Sequence, residues 1–343
     1  MEQNSAPPER PPHEALFGIM MGMWVAQAVG TLARLDIPDA VAAGHTTAAA
    51  VAKKLALDPD ATYRLLRACA VVGLFARPDE ETFVLTPLGE LLRSDVPGSM
   101  RSIFDAETAP GHWLPWGRFD ARVKTGESQV EATLGTDIWS YYKNNPVEQR
   151  HFAEGMSGLS ASSVAAILAA HDFGDPRKVV DVGGSLGVFL AGVLNKYPEA
   201  QGVLFDLPQV VAEALPSLEQ AGVAKRVERV GGNFLEAVPA GGDLYLLKHI
   251  LHDWDDASCE TILKACRAAM APGGKVVVAE MVIGGLSDPP GPAPFLDLNM
   301  MVLLPGRERT VPQFAALFAA AGLELLEVVP TASPIVLLVA GAR

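Results

Sequence analysis

The sequence predicts an α/β protein in two parts, a mainly helical front with a winged-helix pattern and a doubly wound, Rossmann-like sheet whose last strand is antiparallel. After Pro176, the apolar runs "KVVDVGG", "GVLFD", "VERVGG", "DLYLLKHIL" and "KVVVAE" alternate with helical segments, as parallel strands covered on both faces do. The final runs, "LELLEVVP" and "SPIVLLVAG", are separated by too few residues for a helix, so they must pair as an antiparallel hairpin. Near the start, "TTAAAVAKKLALDPDATYRLLRACAVVGLFARPDEETFVLTPLGELL" reads as helix, turn, helix and hairpin.

A chain of 343 residues suits two domains of ordinary size. The expected division is a polar, Pro-rich leader over 1–12, a winged-helix-like domain over 13–100, a helical connector that supplies a pocket wall over 101–170, and the sheet domain over 171–343. The net charge of -13 disfavours nucleic acid and anionic membranes as partners, because phosphate binding needs clustered Lys and Arg. Cys69, Cys259 and Cys266 form no C-x-x-C pair, which points to a reducing, cytoplasmic compartment and to plain packing. The N-terminus lacks a signal-type apolar core, and no apolar stretch of about eighteen residues lacks both charges and helix breakers, so no membrane span is expected.

In the front domain, Leu16, Met20, Met23, Trp24, Ala28 and Leu32 recur with helical spacing over Glu14–Leu35. A helix this poor in charge requires burial on more than one face, in its own core or in a partner subunit. Thr47 caps the next helix, Asp58-Pro59 turns into another that runs through Ala70, and two short strands flank "PDEE". A winged helix most often binds DNA, so a ligand-binding regulator is one competing function. Its recognition helix, Ala61 to Val72, would carry only Arg64 and Arg67, and its wing presents Asp79, Glu80 and Glu81, which repel phosphate. From Ser99 to Ala170 the helical pattern carries aromatic clusters (His112, Trp113, Trp116; Trp139, Tyr141, Tyr142; Phe152 with Met156) that suit the wall of a pocket for a flat, apolar molecule.

The sheet domain opens with "VVDVGGSLGVFLAGVLNKYP", a strand, a Gly-rich turn and a helix, in which Gly183, Gly184 and Gly187 let the backbone pass close to a ligand. Nineteen residues after Gly187, Asp206 ends the second strand, where an acid can accept from both hydroxyls of a ribose. Together they indicate an adenosyl cofactor. An NAD-dependent dehydrogenase uses the same acid, but its G-x-G-x-x-G spacing is absent because Ser185 stands two after Gly183. At the end of the third strand Asn233 could pair with an adenine edge and Phe234 stack on the ring, and Lys248 closes the fourth strand at the same crevice.

The fourth strand continues into "HILHDWDDA". His249, His252 and Asp253 fall within one turn, but no further His or Cys joins them by spacing, so no metal is expected. Acid–base chemistry asks less. A phenol with a pKa near 10 is only about one part in a thousand ionised at pH 7, and one histidine that removes its proton is sufficient. Its second nitrogen needs an acceptor, and Glu280, which closes the fifth strand, and Glu308, in "PGRERT", fit by position.

"DVGGSLG", "FDLPQVV", "HDWDDASCETILKAC", "VVVAE" and "PGRERT", in that order and spacing, resemble the plant caffeic-acid-type O-methyltransferase family and its bacterial relatives in polyketide and phenazine tailoring. The resemblance spans nearly the whole chain. It implies an S-adenosylmethionine-dependent O-methyltransferase with His252 as general base bracketed by Glu280 and Glu308, and with a front domain that forms a homodimer. It further implies that Gly183, Gly184, Asp206, Leu207, Asn233, Phe234 and Lys248 hold the cofactor. Trp113, Phe152, Met156, Asp253, Trp254, Asn299 and Met300 are the expected wall around an aromatic acceptor. His249 has no counterpart. Family members that turned to N-methylation, decarboxylation or hydroxylation keep the fold and mark the alternative activity. Ser185 stands where the family has a middle glycine, Asn233 where it commonly has Asp, and Leu303 and Leu304 where plant members often carry polar residues. These departures predict weaker cofactor binding and a more apolar or polycyclic acceptor.

Overall fold

A computed structural model of the chain describes residues 11–284 and 291–343. Most of the expected leader lies outside the described residues, and Pro12 is already the first residue of a helix. The chain separates into two compact units, Met1–Pro110 and Gly111–Arg343.

In the first unit the helix Pro12–Arg34 runs straight through Gly18 and Gly22. Only its second half is buried: Val29, Gly30, Leu32 and Ala33 are covered, while Leu16, Phe17, Ile19, Met20, Met21, Met23 and Trp24 are exposed. Burial on more than one face is therefore not met within this unit. Because its glycines do not break it, the helix is long and apolar enough to cross a membrane by length and composition, as is Pro146–Ala170, which corrects the sequence-based count. Thr47 accepts from Ala50 N and Asp58 from Ala61 N, capping the helices Ala48–Leu55 and Pro59–Val71 as their side chains predict. Strands β1 (Phe75–Ala76) and β2 (Val84–Leu85) make the small antiparallel wing. Arg101–Thr108 packs on the first helix, and a Cβ on Gly30 would lie 1.9 Å from Thr108 Oγ1, so this close crossing requires glycine.

The second unit is built on seven strands: β3 (Lys178–Val182), β4 (Gln201–Asp206), β5 (Val227–Gly231), β6 (Leu244–Lys248), β7 (Lys275–Met281), β8 (Leu323–Pro330) and β9 (Ile335–Ala342). They lie in the order β5-β4-β3-β6-β7-β9-β8, with β3 to β7 parallel and β9 antiparallel to both neighbours. The expected hairpin at the end of the chain is therefore present. Successive side chains of β3 feed opposite cores. Val179 joins Val164, Ile167 and Leu190 on one face, and Val180 and Val182 join Ile262, Cys266 and Phe314 on the other. With both faces covered, the carboxyl ends of β3, β4 and β6 remain as the place for chemistry.

Candidate active site

The sheet register builds the site. Lys248, the last residue of β6, pairs with Ala279 of β7, which sets Glu280 beside the residue that follows the strand. There the chain turns: His249 takes a left-handed conformation with φ 54°. Glu280 Oε1 then accepts from the backbone N–H groups of Ile250 (3.0 Å) and Leu251 (2.9 Å). These two bonds anchor the 3-10 turn Leu251–Asp253, which carries His252. From the other side, a bridge between Val282 and Arg309 brings the segment 306–309 against the end of β7. A Cβ on Gly306 would lie 1.9 Å from the His252 carbonyl oxygen, so only glycine permits this approach.

His252 Nδ1 lies 2.7 Å from Glu308 Oε1 and 3.8 Å from Glu280 Oε2, and its Nε2 lies 3.3 Å from Asp253 Oδ1. His252, Glu280 and Glu308 are all buried. Burial works against a charged imidazole at His252, but the Glu280 and Asp253 carboxylates and the bond to Glu308 outweigh it and push the pKa up to about 10. Burial pushes Asp253 up to about 7 and lowers His249 to about 4, so His249 is neutral at physiological pH.

Sequence reasoning missed Arg309, which is fully buried. Its guanidinium donates to the carbonyls of Leu251 and Trp254, both at 2.7 Å, and to Asp256 Oδ1 at 2.8 and 3.0 Å. It thus fastens both ends of the turn that carries His252. It stands in the quoted motif "PGRERT", but an arginine in a run of charges reads as solvated until the chain is folded. Ser160, which accepts from Lys248 Nζ at 2.9 Å, was missed because it lies 88 residues away in a stretch of helix without charges, where a serine carries no signal of a distant partner.

The cofactor candidates gather at the strand ends. The backbone N–H groups of Gly183 and Gly184 donate to Phe205 O, and Gly187 begins the helix Val188–Lys196. Asp206 Oδ2 accepts from Ser185 N (2.8 Å) and Oδ1 from Leu207 N (2.7 Å). Each carboxylate oxygen has two lone pairs, so each retains one for a hydroxyl. Phe234 Cε1 comes within 3.5 Å of where Gly183 would carry a Cβ, and Phe234 meets Trp254 edge-on with ring centroids 5.7 Å apart. Burial lowers Lys248 to about 8. Acid, glycine turn and aromatic ring together fit an adenosyl group. Asn233 is engaged locally: its Oδ1 accepts from Leu235 N and its Nδ2 donates to Glu236 Oε1, so an adenine contact would have to displace Glu236.

Among the acceptor-wall candidates, Phe152 stacks on Tyr142 (5.2 Å) and tilts against His112 (5.4 Å). Met300, Leu303 and Leu304 are buried in the same cluster as Tyr142, where the two leucines serve packing. Asn299 Oδ1 accepts from Trp116 Nε1 at 2.9 Å. Trp113 and Met156 are half-buried on the helices Pro110–Trp116 and Pro146–Ala170, outside that cluster. The convergent histidine set also differs from the sequence-based one. Donor atoms of His249, His252 and Glu280, in place of Asp253, lie within 4.8 Å of one another.

An O-methyltransferase domain model matches residues 116–324, and an O-methyltransferase dimerisation domain model matches 17–95. The chain belongs to the O-methyltransferase family. The phenazine O-methyltransferase PhzM of Lysobacter antibioticus is 38% identical over 339 residues, covering 97% of both chains. The crystal structure of LaPhzM superposes with a TM-score of 0.93 at 36% identity, covering 97% of this chain and all of that one. NcsB1, an O-methyltransferase from neocarzinostatin biosynthesis solved with S-adenosylmethionine and 2-hydroxy-5-methyl naphthoic acid, superposes at 0.80 with 32% identity, covering 93% and 96%. The dehydrogenase reading is thereby set aside, and the resemblance noted in the five motifs extends over the fold of this O-methyltransferase.

Proposed function

We propose that this chain methylates a hydroxyl group of an aromatic small molecule, with His252 as the base that receives the hydroxyl proton. The 2.7 Å contact between His252 Nδ1 and Glu308 carries the reading, because it commits one ring nitrogen to a carboxylate and leaves Nε2 for an acceptor. When bound, S-adenosylmethionine supplies an electrophilic methyl group that needs no further activation. The residues of this chain orient the acceptor and take its proton. A phenol has a pKa of about 10, so proton transfer to the neutral imidazole, held at about the same value, is nearly thermoneutral, and the neutral form grows as pH rises toward 10. The imidazolium so formed remains stabilised by Glu308, Glu280 and Asp253. Asp253 Oδ1, 3.3 Å from Nε2, is placed to accept from the N–H that Nε2 gains and so to hold the imidazolium.

The cofactor is assigned to Gly183, Gly184, Asp206, Leu207, Phe234 and Lys248 at the strand ends, with Asn233 at the rim. Trp113, Phe152, Met156, Trp254, Asn299 and Met300 are assigned to the region around the acceptor. The naphthoic acid bound by NcsB1 supports an aromatic acceptor. A homodimer through the front unit is supported by the match to the dimerisation domain and by the bare apolar half of the helix Pro12–Arg34. Burial pushes the thiols of Cys69, Cys259 and Cys266 up to about 12, which fits unreactive cysteines of a cytoplasmic protein.

The deciding experiment combines calorimetry with methyl transfer to a panel of hydroxylated aromatic acids and polycyclic phenols. His252→Ala is expected to bind S-adenosylmethionine as the parent does and to lose about 10²- to 10⁴-fold in turnover. Undiminished turnover in that variant would remove His252 from the chemistry.

A further inference from the structure

Two buried atoms beside the base have no hydrogen-bond partner: His249 Nδ1 and Glu280 Oε2. They lie 3.6 Å apart, too far for a direct hydrogen bond, and Glu280 Oε2 is 3.8 Å from His252 Nδ1. Glu280 is wholly buried, and the backbone bonds to its Oε1 fix the direction of Oε2. An unpaired carboxylate oxygen in such a position is costly unless something fills the space it shares with the two imidazoles. Glu308 Oε2 is also buried without a partner, and Glu308 Oε1 lies 2.7 Å from the same His252 Nδ1.

Two imidazoles and a carboxylate are the donor set preferred by divalent transition metals, zinc above all. Bonds of about 2.0–2.2 Å in a tetrahedral site place ligand atoms roughly 3.3–3.6 Å apart. The 3.6 and 3.8 Å separations need only a few tenths of an ångström of contraction, and the third, between the two imidazole nitrogens, lies within 4.8 Å and must close by up to about an ångström. Donor atoms of His249, His252 and Glu280 converge within 4.8 Å, and Glu308 can complete a fourth position.

We propose that His249 Nδ1, His252 Nδ1 and Glu280 Oε2 form a binding site for a divalent transition-metal cation of the zinc type, and that its occupation turns methyl transfer off. The metal takes the nitrogen that Glu308 otherwise holds, so His252 loses both its orienting bond and its basicity, and Glu308 is freed to become the fourth ligand. Binding requires only the displacement of the proton shared by His252 and Glu308. The inhibition rests on His252 being the base, whereas the binding site does not.

The full-length protein, freed of metal with a chelator, is titrated with Co²⁺ as an optical probe and separately assayed with Zn²⁺. A visible tetrahedral cobalt band is expected, and both His249→Asn and Glu280→Gln should weaken cobalt binding at least about tenfold. Asparagine tolerates the left-handed backbone at 249, and glutamine keeps an acceptor for the Ile250 and Leu251 amides. Zn²⁺ should abolish methyl transfer, a chelator should restore it, and His249→Asn should turn over normally without zinc and resist it when added. Absence of the band, or an unchanged band in both variants, overturns the site. A band that the variants abolish, together with turnover indifferent to Zn²⁺, upholds the site and overturns the inhibition.

Discussion

Glu308 reaches the imidazole of His252 from a segment 56 residues further along the chain, and the two meet at 2.7 Å inside the protein. The contact joins the turn after β6 to the segment beyond β7 and makes one ring nitrogen an obligate donor. Its consequence is an imidazole whose pKa belongs to the cluster more than to histidine.

The first prediction concerns pH. The acting form of His252 is the neutral imidazole, and its pKa is pushed up to about 10, so kcat/KM of the metal-free protein should rise with pH through the neutral range and level off near that value. Glu308→Gln removes one of the carboxylates that stabilise the cation, so the limb should move to lower pH while kcat falls. Ionisation of the acceptor alone would leave the limb where it was in the variant. A profile flat from neutral to alkaline pH would contradict the base.

Arg309 tests the turn. Arg309→Lys keeps a positive charge but cannot serve the Leu251 and Trp254 carbonyls and Asp256 together. A loss of about 2–4 kcal/mol is expected in denaturant unfolding, because buried acceptors are left unpaired. Turnover should fall with it, and cofactor affinity measured by calorimetry should not.

Ser185 holds φ 51° in the glycine turn, a conformation that disfavours any residue with a Cβ. Ser185→Gly relieves that strain at some cost in chain entropy, for a net gain of about 0.5–1 kcal/mol. Thermal unfolding with and without S-adenosylmethionine reads the effect, and a lowered midpoint would show that the serine contributes something the backbone angle does not reveal.

Asp181 supplies a second pH signature. It is buried on β3, its Oδ2 accepts from Leu190 N, and burial raises it to about 7 from an ordinary value of 3.8. A carboxyl raised in the folded state stabilises below its unfolded pKa, and that contribution is lost as pH rises from about 4 through 7. Asp181→Asn should therefore gain stability on the parent by a few kcal/mol at pH 8, on the order of 4 at most, and the difference should close near pH 4. Unfolding curves at both pH values decide it. Equal differences at the two would mean that Asp181 is ionised throughout.

Much of this protein was legible in its sequence, for a physical reason. Strand and helix periodicity, the missing helix between β8 and β9, the glycine turn, Asp206 and the His–Glu–Glu set all depend on residue types in chain order. Burial on both faces of a parallel sheet imposes such order locally. Distance across the chain is not local. The register of Lys248 on Ala279, which brings Glu280 against His249, and the bridge from Val282 to Arg309 exist only once the strands associate. So the sequence alone determined the fold class and singled out the candidates for the cofactor crevice and for the base. Tertiary structure alone decided that Glu308 holds His252 directly while Glu280 holds the backbone, that a buried arginine fastens the turn, and that His249 and Glu280 face each other with unpaired atoms, because each depends on packing between distant segments.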